Sequence, residues 1–438
     1  MQKIKFLHTA DLHLGSTMNF GGKYHDVVAD VFDNAIYNSL INMVDLAIEE
    51  NVNFILISGD LYDQECRSVN ANVFFNKQCQ RLANHGISIY MIAGNHDPLN
   101  KYKQLFDLPE NVFLFDCDNP DLKEVYLNGE LIAAISGCSY SNRAESRKMY
   151  QNYQTKPGVW NIALLHTQLE ANNNNYVPVN LQELLAMEEL NYWALGHIHK
   201  NSILHNSINQ AVVYPGIPQG RDMGEQGIKG FYMVELIPDM QAVIKFIPSS
   251  SIVYQQIEIP IDSIRDGNIS DLQNLITDIS SELLNNNFYL ENVNDVKIEG
   301  YVVEWVLIGR GNISTLLKDQ EEELIPHLID YLQDKLLKNK PFIWTKSIIN
   351  RTAPLINEEK LFNSVVFQDI NKITSLLKDN DTLRAELLDE LGLIWTDDFD
   401  HEEVDYLKFN LDEEKFRSIL EQARHCIIEQ LLQRRDLS

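Results

Sequence analysis

Five short segments gather the residues whose types and spacing could do chemistry. They are Asp11-Leu12-His13, Gly59-Asp60-Leu61-Tyr62-Asp63, Gly94-Asn95-His96-Asp97, Leu165-His166-Thr167 and Gly196-His197-Ile198-His199. Their donors are imidazoles, carboxylates and an amide, with no thiolate, a mixture that suits Mn, Fe or Zn and disfavours soft-metal chemistry. In Asp11-x-His13 and His197-x-His199, positions i and i+2 of an extended backbone point the same way, so each segment aims two donors into one pocket. Asp60 follows the apolar run Phe54-Ile55-Leu56-Ile57 and reads as a bridging carboxylate. Gly59, Gly94 and Gly196 flank the donors and permit the tight backbone that close approach to a cation requires. Of the twelve histidines, His13, His96, His166, His197 and His199 fall in these segments. The others, His8, His25, His85, His205, His327, His401 and His425, read as structural residues. Taken alone, a strand-end histidine is usually just hydrogen-bonded, and Gly-Asp is a turn. The weight comes from five such segments, each following its own strand.

The elements that must position these donors alternate early and change character later. Strands are expected at Ile4–His8, Phe54–Ser58, Ile87–Ile92, Leu131–Ser136, Ile162–His166, Trp193–Leu195, Ala211–Tyr214, Phe231–Leu236 and Val243–Ile247. A helix is expected over Val27–Glu50, where Val28, Val31, Phe32, Ala35, Leu40, Val44, Ala47 and Ile48 recur at helical spacing. This predicts an α/β sandwich, parallel at its start and antiparallel toward its end. Ligands of open α/β sheets bind outside the carboxyl ends of strands, where the five segments lie. The texture changes at Pro248-Ser249-Ser250-Ser251, so residues 1–248 form one expected domain. Residues 249–350 form a small α/β module containing strand Ile252–Ile259, helix Ile269–Asn285 and strand Val296–Ile308. Residues 351–438 read as helical. One stripe there runs through Leu361, Phe362, Val365, Val366, Ile370, Ile373, Leu376 and Leu377, with an N-cap at Asn357 and Glu358 and Glu359 in the first turn. A second stripe runs through Phe416, Ile419, Leu420, Ala423, Ile427 and Leu431.

With 438 residues, 45% hydrophobic and 23% charged, the chain has an ordinary globular composition, which excludes wholesale disorder. No apolar run approaches a membrane span, so no membrane association is expected. The first residues lack the charged head, apolar run and cleavage site of a leader. Five cysteines (Cys66, Cys79, Cys117, Cys138, Cys426) form neither a disulfide framework nor a metal spacing, which predicts a reducing, cytoplasmic setting. The net charge is -27. Residues 1–250 carry 17 basic and 27 acidic side chains, and 251–438 carry 19 and 36, or -10 and -17. Such a chain is repelled by bulk nucleic acid, although bound cations would neutralise some carboxylates of the first half. The run from Asp397 to Glu414 holds nine carboxylates and one lysine and reads as solvated. Arg143, Arg147 and Lys148, with Tyr140 and Tyr150 alongside, form the main basic-aromatic cluster of the first half. It would either contact backbone phosphates or be a solvated face. Arg221 and Lys229 lie in the Gly-rich loop Gly216–Gly230 and are further substrate candidates. For Asp63, second-layer support and turn formation are both open.

The five segments resemble the signature motifs of the calcineurin-like metallophosphoesterases. Within that family, His8-Thr9-Ala10-Asp11-Leu12-His13-Leu14-Gly15 resembles the SbcD-type DNA repair nucleases, especially their YhaO-like branch. The likeness runs over residues 1–236, including Tyr214-Pro215-Gly216. Beyond 250, Val303-Glu304-Trp305-Val306, Gly309-Arg310 and Pro341-Phe342-Ile343-Trp344 are partial matches. The resemblance implies an αββα sandwich of metallophosphoesterase type, a small α/β capping domain and a C-terminal helical region. It implies two divalent cations, Mn(2+) by preference. One would be held by Asp11, His13, Asp60 and His199, the other by Asp60, Asn95, His166 and His197. His96 would be the catalytic histidine, with Asp97 orienting its ring.

Such a pair of cations makes water nucleophilic at neutral pH and neutralises phosphodiester oxygens. A neighbouring His96 would then act as general acid on the departing sugar oxygen. The resemblance further implies DNA as substrate, with 3′–5′ exonuclease action on duplex ends and endonuclease action on single strands. Its expected partner is an SbcC-type coiled-coil ATPase bound through the C-terminal helices, with a homodimer as a further option. Those helices would otherwise form a plain bundle. The same chemistry serves phosphoproteins, cyclic nucleotides and small phosphate esters, and fold does not choose among them. A scaffold with a vestigial site is a third reading, against which the complete donor set argues.

Overall fold

The computed structural model describes residues 1–21, 26–63, 68–99, 107–170, 175–264, 267–286, 298–355, 365–391 and 413–435. It forms two compact units, Met1–Pro354 and Leu355–Ser438. The first begins β1 (Ile4–Thr9), α1 (Asp26–Glu49), β2 (Phe54–Ser58), α2 (Val69–Ala83), β3 (Ser88–Ile92) and β4 (Val112–Leu114). All five residues of β2 are buried, as expected of a central parallel strand covered on both faces. Ser68 caps α2 by accepting a 3.0 Å hydrogen bond from the Ala71 amide, which supplies an otherwise unpaired donor of the first turn.

The chain continues with β5 (Asp121–Leu127), β6 (Glu130–Gly137), β7 (Trp160–His166), α3 (Leu181–Leu185), β8 (Tyr192–Gly196), β9 (Ser202–Asn206), β10 (Ala211–Tyr214), β11 (Gly230–Leu236) and β12 (Val243–Pro248). Two six-stranded sheets result, ordered β12-β11-β1-β2-β3-β4 and β5-β6-β7-β8-β10-β9. The first is parallel from β1 to β4 and antiparallel at β11 and β12. The second is parallel through β6, β7, β8 and β10, and antiparallel only at its margins. Parallel pairing thus persists further along the chain than the sequence predicts. Phe6, Phe54, Leu56, Tyr90 and Ile92 of one sheet face Ile135, Ile162, Leu164, Tyr192 and Val213 of the other in a shared core. Helices α1 and α2 cover the outer face of the first sheet, whereas short turns, loops and α3 cover that of the second.

The sequence did not announce β4, β5 or β9. They are edge strands, short or carrying charge, and β5 buries only Val125, so the alternation that marks a half-buried strand is weak there.

After β12 come β13 (Ile252–Pro260), α4 (Ile269–Asn286), β14 (Gly300–Ile308), α5 (Ile313–Asp319), α6 (Glu321–Leu336) and β15 (Phe342–Asn350). The three strands make a parallel sheet in chain order. The partial match Pro341–Trp344 therefore opens a full third strand. Phe342 and Trp344 pack with Leu14, Met18 and Phe32 in one continuous core, and Trp344 Nε1 donates to the Phe20 carbonyl at 2.8 Å. Apolar contact ties this small sheet to α1 and to the loop after β1.

The second unit contains α7 (Val365–Asp379), α8 (Asp381–Leu391) and α9 (Glu413–Arg435). Phe367 and Ile428 are buried together, and the Arg384 guanidinium lies 4.4 Å from the centre of the Phe416 ring. Val365, Val366, Ile373, Leu376, Ile419, Ile427 and Leu431 are exposed, so much of both stripes faces outward. Asn357–Glu359, Leu361, Phe362, His25, Cys66 and Asp397–Asp412 lie outside the described residues. No described helix is long and apolar enough to cross a membrane.

Candidate metal centre

The five segments leave the carboxyl ends of β1, β2, β3, β7 and β8, three from one sheet and two from the other. Beyond β1 the chain runs beside the loop after β2: the amides of Asp11, His13 and Leu14 donate to the carbonyls of Gly59, Asp60 and Leu61 at 3.0, 3.1 and 2.9 Å. The backbone is not extended as the i, i+2 argument supposed. Asp11, His13, Asp60 and His197 all take positive φ, at 52°, 47°, 52° and 95°. Each such residue costs of order 1–3 kcal/mol and persists only where its surroundings over-determine it. Four of them at one cleft turn their side chains inward together.

Two glycines make room for this convergence. A Cβ on Gly94 would collide with Asp60 Oδ1 and the His166 ring, and one on Gly196 with the Ser58 carbonyl. The sequence expectation of close approach at these positions thus has a steric cause.

Three groups of side chains have donor atoms within 4.8 Å of one another: Asp11, His13 and His199; Asp60, His166 and His197; and His13, Asp63 and His96. Asn95 Oδ1 lies 2.9 Å from His166 Nε2 and 3.0 Å from His197 Nδ1. His166 Nδ1 donates to the Ser58 carbonyl at 2.9 Å, which leaves Nε2 to face Asp60 Oδ2 at 3.4 Å. Asp11 accepts the His197 amide on both oxygens, at 3.2 and 2.9 Å. Asp60 Oδ1 accepts the His96 amide at 2.8 Å.

Charge and burial pull in opposite directions here. Burial lifts the Asp11 carboxyl to about 6, against His166 and His199. Burial acts on Asp60 as well, but His166 outweighs it and holds that carboxyl below the usual range. Conversely, burial disfavours the His166 imidazolium, and Asp60 overcomes it to raise the ring to about 9. His197 is pushed down to about 3 by burial and then by His166. His13 is held well below its ordinary value by burial, with Arg221 adding to the effect.

Neither ring nitrogen of His13 has a hydrogen-bond partner although both are buried. An unmet buried polar group costs about 1–3 kcal/mol, and a neutral imidazole beside carboxylates is a ready divalent-cation ligand. The donor set therefore fits a pair of cations.

Other predicted residues find different surroundings. Asp97 does not reach the His96 ring through any contact described; it accepts the amides of Leu61, Tyr62 and Gly94 at 2.8, 3.3 and 2.8 Å. It thereby ties the loop after β2 to the loop after β3. The carboxylate at the His96 ring is Asp63, whose Oδ1 is 3.3 Å from Nδ1. Arg147 grips Glu145 and donates to the carbonyls of Asp118 and Cys117. Lys148 pairs with Glu183 at 2.8 Å. Tyr140 and Tyr150 are buried, donating to the His166 carbonyl and to Glu183. Of this cluster, Arg143 and Arg147 are exposed, Arg147 with its charge met by Glu145. Arg221 is committed to Glu225 at 3.0 Å and Asp63 at 3.7 Å. Lys229 is half-buried, and burial lowers its ammonium.

Sequence reasoning missed Glu225, whose Oε1 is 2.6 Å from His199 Nδ1, and Tyr176, whose ring lies 4.3 Å from that of His197. Glu225 follows Arg221 by four positions, a signal with no meaning until the loop's path is known.

Residues 4–201, which carry all five segments, match the family of calcineurin-like phosphoesterases. Over these 198 of the 438 residues the chain is similar to that family and has its fold. The chain is accordingly a metal-dependent phosphoester hydrolase. It is 29% identical over 375 residues to the uncharacterized metallophosphoesterase YhaO of Bacillus subtilis (strain 168), an alignment covering 84% of this chain and 87% of that protein. It is 27% identical over 259 residues to the DNA double-strand break repair protein Mre11 of Methanococcus maripaludis, covering 54% of this chain and 64% of the other. For the Mre11 of Methanocaldococcus jannaschii the identity is 28% over 251 residues, covering 52% and 62%. The chain spans less than two thirds of each archaeal protein. The matched region ends at residue 201, so Arg221 and Glu225 lie beyond it.

Proposed function

We propose that this chain is a Mn(2+)-dependent DNA nuclease, a 3′–5′ exonuclease on duplex ends and an endonuclease on single strands. It would work in the cytoplasm with an SbcC-type coiled-coil ATPase in DNA end processing, repair or defence. Alignment with two proteins named for DNA double-strand break repair supports the substrate. The outward apolar stripes of α7 and α9 support a helical partner. Free thiols at Cys79, Cys117, Cys138 and Cys426 support a reducing setting.

The observation that carries the reading is His13, buried between Asp11 and His199 with both ring nitrogens unmet. Asp11, His13, Asp60 and His199 would hold one cation, and Asp60, Asn95, His166 and His197 the other. Bound there, the pair supplies Lewis acidity and lowers the pKa of water. The chain's own residues do the rest. Asp60 stands with His166 and His197, and its charge is felt at His13. Asp97 fixes the loops that carry Asp60 and Asn95. His96, with its side chain 40% exposed, has Nδ1 against Asp63, which leaves Nε2 to give a proton to the departing sugar oxygen. Arg143 remains available to a backbone phosphate.

Purified protein with Mn(2+) should degrade linear duplex DNA and hydrolyse bis-p-nitrophenyl phosphate, and chelation should stop both. Cleavage of the small diester with no DNA degraded, even beside the ATPase, would sink the nuclease assignment. His96→Ala should keep its metal yet lose at least about 100-fold in diester turnover, the range of one positioned acid. Loss of metal in that variant would count against the role given to His96.

A further inference from the structure

We infer that Glu225, Arg221 and Asp63 form one outer scaffold that fixes His199 and His96 together, so that cation binding and proton donation share a single guanidinium. This rests on the functional reading above. Glu225 is buried, 8% exposed. Its Oε1 meets His199 Nδ1 at 2.6 Å and Arg221 Nη2 at 3.0 Å. Its Oε2 accepts the Arg221 amide at 2.7 Å and Nε at 3.4 Å. A carboxylate has about four lone-pair sites, and here all four are taken. Arg221 then reaches the other way, with Nη1 3.7 Å from Asp63 Oδ2. Asp63 holds His96 Nδ1 on its other oxygen at 3.3 Å and accepts Ser16 Oγ at 3.2 Å. The Arg221 carbonyl accepts the Asn19 amide at 2.7 Å, pinning the loop to the segment after β1.

Both histidines thus present the same tautomer. A carboxylate occupies each Nδ1, which leaves each Nε2 free to face the cleft. The planar guanidinium fork can hold two carboxylates in fixed directions, which a lysine ammonium cannot. This gives Arg221 a task other than gripping substrate, and its side chain is only 17% exposed. His199 and His96 are reached from one anchor, so a disturbance at Arg221 travels to both. Glu225 and Asp63 are positioning residues in this scheme, each acting through one ring.

The test is a Mn(2+) titration by calorimetry, with bound ions counted by electron paramagnetic resonance, on the full chain and its variants. Wild type comes first: failure to bind two ions defeats the metal-centre reading itself. If two bind, Glu225→Gln should weaken one event by 10–100-fold, the usual effect of losing a ligand's outer partner, and leave the other within twofold. Asp63→Asn should leave both events within twofold and lower diester turnover about tenfold at unchanged KM. Arg221→Met should do both, and Arg221→Lys should not restore either. Unchanged metal affinities in Glu225→Gln would overturn the inference. So would an Arg221→Met variant that binds Mn(2+) like wild type and changes only KM and its salt dependence, the mark of a phosphate contact. If Arg221→Met does not fold, the two isosteric variants, checked by metal-free thermal unfolding, decide the matter.

Discussion

His8 and His13 are five residues apart at the end of one strand, and both are buried. In the core between the sheets, His8 Nδ1 meets the Tyr192 hydroxyl at 3.0 Å, while Nε2 meets Ser58 Oγ at 3.2 Å and the Leu195 carbonyl at 3.1 Å. In the cleft, His13 has no partner on either nitrogen. Burial lowers both rings, His8 to about 3. Burial and a neutral ring are thus common to the two, and they identify nothing. The difference lies in unmet valence: the core satisfies its histidine with protein atoms, and the cleft leaves its histidine for a ligand.

The sharpest way to break this comparison is His13→Gln. Diester turnover should fall by more than about 100-fold, beyond the usual reach of a change outside the metal's own ligands. One of two Mn(2+) ions should be lost while metal-free thermal stability stays level. Retained binding of both ions would show that His13 is simply a poorly satisfied core residue. Gly94→Ala should come next. The new methyl group displaces Asp60 and His166, and turnover should drop about 10–100-fold with the far-ultraviolet circular dichroism unchanged.

His8→Leu tests the other arm. It leaves the Tyr192 hydroxyl without the His8 ring and should cost about 1–3 kcal/mol in urea unfolding, with both ions still bound. A smaller signal is pH-dependent. His8 takes a proton near pH 6.5 when unfolded and only near 3 when folded, so the unfolded state binds more protons between those values. Its contribution to stability is complete above 6.5 and is lost as pH falls toward 3, with a slope of up to about 1.4 kcal/mol per pH unit. The wild-type curve should be steeper than that of His8→Leu over this window; parallel curves would contradict the buried neutral ring.

Much of the fold was legible because buried parallel strands write themselves as unbroken apolar runs. Phe54–Ser58 and Ala211–Tyr214 match the sequence expectation at both ends. The edges were not legible, since β5 and β9 bury little and so carry no strong pattern. The convergence of donors was legible for a chemical reason: few arrangements other than a cation site use so many imidazoles and carboxylates after strands. The basic cluster was not legible. A run such as Arg143, Arg147 and Lys148 looks the same in sequence whether its charges are free or already met by Glu145 and Glu183.

By itself, then, the sequence determined the donor types, their place after strands and the apolar runs that carry them, because those follow from local composition and period. Only the tertiary structure decided which carboxylate meets which ring. Asp63, not Asp97, stands at His96, and Glu225 stands at His199. Such pairings depend on loops from separate strands closing over one cleft, held by left-handed backbone at Asp11, His13, Asp60 and His197. Distances of that kind are set by packing between the two sheets, to which residue order along the chain is blind.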